Sequence, residues 1–270
     1  MGKHYYYPDG TSAYEIPKKS GKGMKAPNIN DARELGLFPS VTTIIGDTQR
    51  KESLEGWKLW KYGREAYANP PWPWAEFNAW HNATKDKAFT SEAADLGTQI
   101  HLIVESVTKD EELPDVEMEI DPAMLVAFSE CWNSLNLTVV ETEFNIAHPL
   151  GYGGRGDLWA VDGDGRDVIL DYKTRDTKEG KKLEFYPELP KQLVAYAKGI
   201  EQTQGIDLQR PRLISLVLSR TEPDRVEYKE WPEAQYEGYW SDFLGLFRNW
   251  CHDNNYFPGG EFNFDLRMEE

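Results

Sequence analysis

The sequence contains few cysteines and no long apolar run. Cys131 and Cys251 are the only cysteines in 270 residues, too few for a disulfide framework, and this favours a reducing compartment. The sequence shows no signal peptide, no stretch long enough to span a membrane and no GxxxxGK[ST] phosphate loop. We therefore expect a cytoplasmic protein that has no membrane partner and no nucleotide-driven motor of its own.

Basic residues are scarce as well. The chain has 30 Lys and Arg against 46 Asp and Glu, which gives a formal net charge of -16. A protein that grips nucleic acid through a broad basic face usually has the opposite balance, so tight non-specific binding is not expected. Basic residues cluster in two places. The first group is Lys173, Arg175, Lys178, Lys181 and Lys182, and the second is Lys18, Lys19, Lys22 and Lys25, which the sequence places in a solvated loop.

The segment 151–174, GYGGRGDLWAVDGDGRDVILDYKT, predicts a β-hairpin. The runs DLWAV and DVILDYK are apolar, β-branched and aromatic, and DGDG between them is typical of a turn. Antiparallel pairing brings Asp157 next to Asp171 and Lys173. Two carboxylates and a lysine suit metal-assisted phosphodiester hydrolysis, in which a cation activates water and the lysine offsets transition-state charge. The alternative is that Asp171 and Lys173 are a solvated pair on one face of an edge strand. For an isolated D…DxK pattern this is the commoner case, because Asp and Lys are common surface residues.

A helix is also predicted upstream of this hairpin. Thr90 or Ser91 can cap it, and an apolar stripe follows at helical spacing: Leu96, Ile100, Ile103, Val104 and Val107. His101 lies beside the stripe. It is a metal ligand if the carboxylates lie opposite it, and otherwise a histidine at the edge of the core.

The remaining pattern predicts an ordered series of elements. These are a helix over 122–135, strands over 139–146, 156–161 and 168–174, a helix over 190–204, a strand over 212–218 and a last helix over 234–254. Gln192 and Tyr196 are four residues apart and share a helix face, either as site residues or as a surface contact.

The first ninety residues are organised differently. They predict a hairpin around PDG, a helix over 52–68 and an aromatic segment, NPPWPWAEFNAWH. Trp72 and Trp74 in that segment can stack on unpaired bases or pack in a small core. We expect an N-terminal α+β accessory lobe over 1–90, and over 91–270 the main domain with its C-terminal helix.

Five motifs in this order resemble those of the PD-(D/E)xK nuclease superfamily. They are GTQIH, the acid in ETEF, GRGDL, DYK and QLVAY, spread over about 91–218, and FPSVTTIIG resembles an upstream segment of such enzymes. The similarity is greatest to the RecB-like exonuclease branch, which includes phage exonucleases and the mitochondrial genome maintenance exonuclease. The resemblance implies an α/β fold with a restriction-endonuclease-like αβββαβ core and a mixed central sheet.

The resemblance also implies roles for individual residues. The implied metal ligands are His101, Glu143, Asp157, Asp171 and the carbonyl of Tyr172. The implied catalytic group contains Lys173, Asp157 and Asp171, with Gln192 and Tyr196 positioning the phosphate or the lysine. Glu141, on the same strand face, competes with Glu143 for the role of accessory acid. Asp171 stands where many members have Glu, which shortens the reach to the metal.

The implied activity is exonucleolytic cleavage of DNA in phage or prokaryotic recombination, repair or replication, with one or two Mg²⁺ or Mn²⁺ ions. Two cysteines exclude the four-cysteine iron–sulfur cluster of some relatives. The expected partners are DNA, single-stranded or with free ends, and a single-strand-binding or recombination protein. The expected substrate-binding residues are Arg155, Arg175, Lys178, Trp72 and Trp74. The alternatives are a nuclease-like fold that binds or assembles on nucleic acid without robust catalysis, and a glycoside hydrolase, which needs paired acids but no lysine.

Overall fold

The chain has a mixed α/β fold. A computed structural model describes residues 3–49, 52–68, 77, 79–81, 92–115 and 120–260. Helices and strands alternate through these residues around a five-stranded central sheet. Trp72, Trp74 and the expected boundary between residues 90 and 91 lie outside the described residues.

Short elements make up the N-terminal part. They are β1 (Tyr5–Tyr6), β2 (Ile16–Pro17), β3 (Met24–Lys25), α1 (Ile29–Leu35), β4 (Phe38–Pro39) and α2 (Val41–Thr48). The turn predicted around PDG forms, because the Tyr7 amide donates to the Thr11 carbonyl at 2.8 Å. The main partner of β1 is nevertheless β4, and β2 pairs with β3. Ser40 caps α2 by accepting a hydrogen bond from the Thr43 amide.

Three longer helices follow: α3 (Glu52–Ala68), α4 (Glu92–Thr108) and α5 (Pro122–Leu135). The predicted start of α5 is confirmed, since the Asp121 carboxylate accepts a hydrogen bond from the Ala123 amide at 2.9 Å and Pro122 occupies the first helical position. The helix ends at Asn136, which adopts the left-handed conformation common at helix ends.

The central sheet has the strand order β5-β6-β7-β8-β9. Its strands are β5 (Leu137–His148), β6 (Tyr152–Asp162), β7 (Asp167–Arg175), β8 (Arg212–Ser219) and β9 (Val226–Trp231). Pairing is antiparallel except between β7 and β8, which α6 (Leu189–Gln204) connects. The last helix is α7 (Tyr236–Asp253). The predicted strands and helices are present, and β9 is an edge strand that the sequence pattern did not predict.

Apolar clusters cover both faces of the sheet, as expected for a layered α/β domain. On one face Ile100 of α4 and Phe128 of α5 pack against Leu170 of β7. On the other face helices α2, α6 and α7 pack in a second cluster, which includes Ile44 of α2 and Tyr5 of β1. Among the described residues, no helix combines the length and apolar character that a membrane span requires.

Candidate metal centre

The pairing of β6 with β7 ends where the predicted acids stand. Leu158 and Leu170 are the last paired residues, so Asp157 and Asp171 come immediately after the pairing stops. The Tyr172 amide donates a hydrogen bond to Asp157 Oδ2 at 2.8 Å. A carboxylate therefore takes the place that a backbone carbonyl would have in the ladder, and this fixes Asp157 against β7.

Side chains from three elements meet at this point. His101 of α4, Glu143 of β5 and Asp157 of β6 each offer one ligand atom, and these three atoms lie within 4.8 Å of one another. His101 Nδ1 is 4.0 Å from Asp157 Oδ2. All three side chains are half-buried. One imidazole and two carboxylates form a donor set that suits a divalent cation. We call these three residues the metal group.

The backbone of Glu143 is unusual for a strand residue. A bulge in β5 lies between Val139 and Glu141, after which Thr142 faces Leu158 and Phe144 faces Gly156. Glu143 thus lies across from Asp157, and its φ of 51° is in the left-handed region. This conformation costs a non-glycine residue about 1–2 kcal/mol, and such strain concentrates at functional sites. The structure places Glu143, and not the exposed Glu141, in the metal group.

Asp171 belongs to a second, adjoining network. It is only 1% exposed, and its Oδ1 accepts hydrogen bonds from Lys173 Nζ and Gln192 Nε2, both at 2.7 Å. Gln192 Nε2 also lies 3.3 Å from the Tyr196 hydroxyl. The four predicted residues therefore adjoin one another, on β7 and α6. Asp171 is outside the metal group, so its role as a metal ligand remains a prediction. Tyr172 contacts Asp157 through its amide, and the metal-binding role of its carbonyl also remains a prediction.

The carboxylates repel one another. Burial raises the pKa of Glu143, and the nearby Asp157 carboxylate raises it further. Burial also raises the pKa of Asp171, while Lys173 opposes this increase. For Lys173, burial favours the neutral amine, but Asp171 and Asp157 outweigh it, and the pKa is raised. Lys173 is therefore protonated, and a divalent cation at the metal group would relieve the remaining repulsion.

Two glycines of the GGRGD segment give room to aromatic rings, a role that sequence analysis missed. A Cβ on Gly154 would lie 2.8 Å from Cε1 of Tyr196, and one on Gly156 would overlap the ring of Phe144. The Phe144 and Tyr196 rings meet edge to face, with centroids 6.2 Å apart. These rings fill the space beside the acids and keep α6 close to β5 and β6.

Glu105 is a further residue that was not predicted to act at the site. It lies one turn after His101, and its Oε1 accepts hydrogen bonds from Thr142 Oγ1 at 2.7 Å and Lys109 Nζ at 2.6 Å. Because Thr142 directly precedes Glu143, this contact ties α4 to the strained part of β5. The four-residue spacing from His101 was the available signal.

Three of the residues expected to bind substrate lie in the described part of the chain, each in a different environment. Arg155 forms an ion pair with Glu143. Arg175 donates to the Glu184 carbonyl at 2.6 Å, and its guanidinium lies 3.7 Å from the centre of the Tyr186 ring, so it holds the loop that follows β7. Lys178 is exposed on that loop.

No known family model and no curated protein matches this chain. One solved structure to which it is similar is described as the crystal structure of SSO0001. The identity is 20%, the TM-score is 0.31, and the match covers 63% of this chain and 68% of that chain. Neither a fold nor a function is inferred from a likeness of this size.

Proposed function

We propose that this protein is a divalent-metal-dependent nuclease that hydrolyses DNA phosphodiester bonds. The observation that carries the proposal is the meeting of His101, Glu143 and Asp157, from three separate elements, beside the buried Asp171 and its ion-pair partner Lys173. A solvated surface pair on an edge strand would not be buried or meet a histidine from a helix. β7 also has neighbours on both sides.

The residues of the metal group would hold the cation, and Asp171 adjoins them. Mg²⁺ or Mn²⁺ bound there would supply neutralisation of phosphate charge and activation of water. The donor set of one imidazole and two carboxylates fits such an ion. Burial and the nearby Asp157 carboxylate raise the pKa of Glu143, and a bound cation would offset both effects.

Lys173 is suited to stabilise charge on the phosphate. Its ammonium group is protonated, and its side chain remains one-third exposed while Nζ lies 2.6 Å from Asp171 Oδ2. A donor held in this way can act on phosphate oxygens without reorganising. Gln192 Nε2 donates a hydrogen bond to Asp171 Oδ1, and Tyr196 lies within reach of the Gln192 amide. These two residues therefore position Asp171 and, through it, Lys173.

The finer assignment is a PD-(D/E)xK exonuclease of the RecB-like branch, acting in phage or prokaryotic recombination, repair or replication. Its support is the order of the five sequence motifs together with the elements that carry them. GTQIH lies on α4, ETEF, GRGDL and DYK lie on β5, β6 and β7, and QLVAY lies on α6. Exonuclease rather than endonuclease activity rests on the sequence resemblance.

The test is digestion of end-labelled single- and double-stranded DNA, with free and blocked ends, in Mg²⁺ or Mn²⁺. We expect cleavage from free ends and its loss in Asp157→Asn, which keeps an oxygen for the Tyr172 amide but removes the charge. Calorimetry should show weaker Mn²⁺ binding in the same variant.

The matched control is Asp164→Asn, which changes an exposed acid of the β6–β7 turn and should cleave like the wild type. Wild-type cleavage that persists in excess EDTA would contradict the proposal. Mn²⁺-dependent DNA binding with no cleavage of any substrate would favour the non-catalytic alternative.

A further inference from the structure

Three aromatic residues of the N-terminal part form a small cluster. The hydroxyls of Tyr6 and Tyr14 are 3.0 Å apart, and their rings are nearly perpendicular, with centroids separated by 6.0 Å. The His4 ring packs edge to face on Tyr14 at 5.0 Å. Tyr14 is thus fixed by two neighbours although 39% of it is exposed. An exposed ring in a fixed orientation loses little entropy when it binds a second ring.

The cluster borders the metal group through β6. Tyr6 is almost fully buried and lies directly on Gly153, where a Cβ would approach the Tyr6 Cβ to 2.8 Å. The next residue on the same face of β6 is Arg155, since side chains alternate along a strand. Arg155 is paired with Glu143 of the metal group. Contacts therefore run from Tyr14 through Tyr6 and β6 to the metal group.

The charges that act on the Tyr6 hydroxyl also place it close to Arg155 and Glu143. Burial is the main cause that raises the pKa of Tyr6, and the charges of Arg155 and Glu143 also act on its hydroxyl, in opposite directions. The hydroxyl that supports Tyr14 is therefore within electrostatic reach of the metal group.

We propose that Tyr14 stacks on an unpaired base of a DNA strand whose phosphate lies at the metal group. This inference rests on the proposed nuclease function and specifies a single-stranded substrate. A chain with a net charge of -16 gains little from non-specific attraction to phosphate, whereas stacking on an aromatic ring adds affinity independently of charge. In a duplex the faces of the bases are covered by their neighbours, so only an unpaired or frayed strand can use Tyr14.

The experiment compares two fluorescent oligomers of equal length in Ca²⁺ by anisotropy. One is oligodeoxythymidylate, and the other is the same deoxyribose-phosphate chain without bases. We expect the wild type to bind the thymidylate more tightly, and Tyr14→Ala to lose about tenfold in thymidylate affinity, since a base stack on an aromatic ring is worth about 1–3 kcal/mol. Binding of the abasic chain should not change.

Two variants serve as controls. Tyr14→Phe keeps the ring without the hydroxyl and should bind thymidylate within about threefold of the wild type. Tyr228→Ala removes a tyrosine that is 45% exposed on β9, at the edge of the sheet far from β5, and should bind like the wild type. Thermal melts of each variant establish that it is folded.

The outcomes separate this inference from the proposed function. If the wild type cleaves DNA but binds both oligomers equally, or if Tyr14→Ala weakens both equally, the stacking role of Tyr14 is wrong and the nuclease proposal stands. If the wild type binds neither oligomer but cleaves double-stranded DNA in Mg²⁺ or Mn²⁺, only this inference fails. If it binds neither oligomer and cleaves neither single- nor double-stranded DNA in those ions, both proposals fail. A loss confined to the thymidylate, and restored in Tyr14→Phe, supports the inference.

Discussion

At the scale of the residue, Lys173 has a structural role and, in the proposed function, a chemical one. It is the cation that neutralises Asp171, a carboxylate with almost no exposure, and its charge also interacts with Asp157 of the metal group. Removing Lys173 leaves the buried Asp171 without its ion-pair partner and destabilises the fold. The cost is below the roughly 3–5 kcal/mol of a fully buried pair, because Lys173 is one-third exposed. A defect in cleavage must therefore be separated from a defect in folding.

We predict that Lys173→Ala lowers turnover by about 10²–10³-fold and leaves Mn²⁺ binding near the wild-type value, because the lysine does not bind the cation. The variant should also unfold at lower denaturant concentration. Lys173→Ala/Asp171→Asn should regain most of this stability but no activity. Lys229→Ala, on β9, is the matched lysine control. Normal turnover in Lys173→Ala would show that the Lys173–Asp171 pair is structural and has no catalytic role.

His148 gives a prediction for pH. Burial lowers its pKa to about 4, and its ring stacks on Tyr152 while its Nδ1 accepts a hydrogen bond from the Leu150 amide. The unfolded chain has a histidine pKa of about 6.5, so the fold favours the neutral ring. The stabilisation is complete above pH about 6.5 and is lost as the pH falls towards about 4.

The wild type should therefore lose on the order of 3 kcal/mol more stability than His148→Gln between pH about 7 and about 4. Glutamine keeps an acceptor for the Leu150 amide but does not titrate in this range. Urea unfolding at several pH values measures the difference. Parallel pH profiles of the two proteins would show that His148 is not the titrating group.

At the scale of the element, Gly156 sets how closely β5 and β6 can bring their acids together. Any side chain at this position would overlap the Phe144 ring. We predict that Gly156→Ala destabilises the protein by about 1–3 kcal/mol, the usual cost of overpacking, and weakens Mn²⁺ binding because Glu143 and Asp157 are displaced. Gly238→Ala, at an open position on α7, should be neutral or slightly stabilising.

The double variant Gly156→Ala/Phe144→Leu tests the cause of this effect. A smaller side chain at residue 144 should restore part of the lost stability if the ring overlap is responsible. Additive losses in thermal melts would show that Gly156 is needed for another reason.

The elements that sequence predicts well are those specified by neighbouring residues. Asp121 and Pro122 predict the start of α5, and the DGDG turn predicts the pairing of β6 with β7. β9 was not predicted because the charged residues in VEYKEW are equally typical of an exposed loop. Its pairing with β8 also depends on residues that are distant in the sequence. The choice of Glu143 over Glu141 depends on a bulge and a left-handed backbone that no local pattern predicts.

At the scale of the whole molecule, negative charge dominates and several cations are already engaged. Arg212 pairs with Asp162 and Glu230, and Arg225 pairs with Glu222 and Glu227. Such residues stabilise the fold and contribute little to binding of a polyanion. In the proposed function, affinity for DNA would then come from a cation at the metal group, a few local basic residues and stacking.

We predict weak binding of single-stranded DNA without metal, and restored binding in Ca²⁺ with little cleavage. The slope of log affinity against log salt should correspond to only about two or three neutralised phosphates. Anisotropy titrations at several salt concentrations measure the slope. Tight, metal-independent binding with a steep slope would instead reveal a basic groove.

The order of the strands along the chain also has a kinetic consequence. β5, β6 and β7 are joined by short turns and pair with their neighbours in sequence, whereas the parallel pairing of β7 with β8 requires α6 to form the crossover. Loops between distant segments close more slowly than hairpins. The meander that carries Glu143, Asp157 and Asp171 can thus form early in folding, and pulsed hydrogen exchange should show β5–β6 amides protected before those of β8. Gln192, which holds Asp171 in place, is on the crossover, so the acids would come together before the residue that orients one of them.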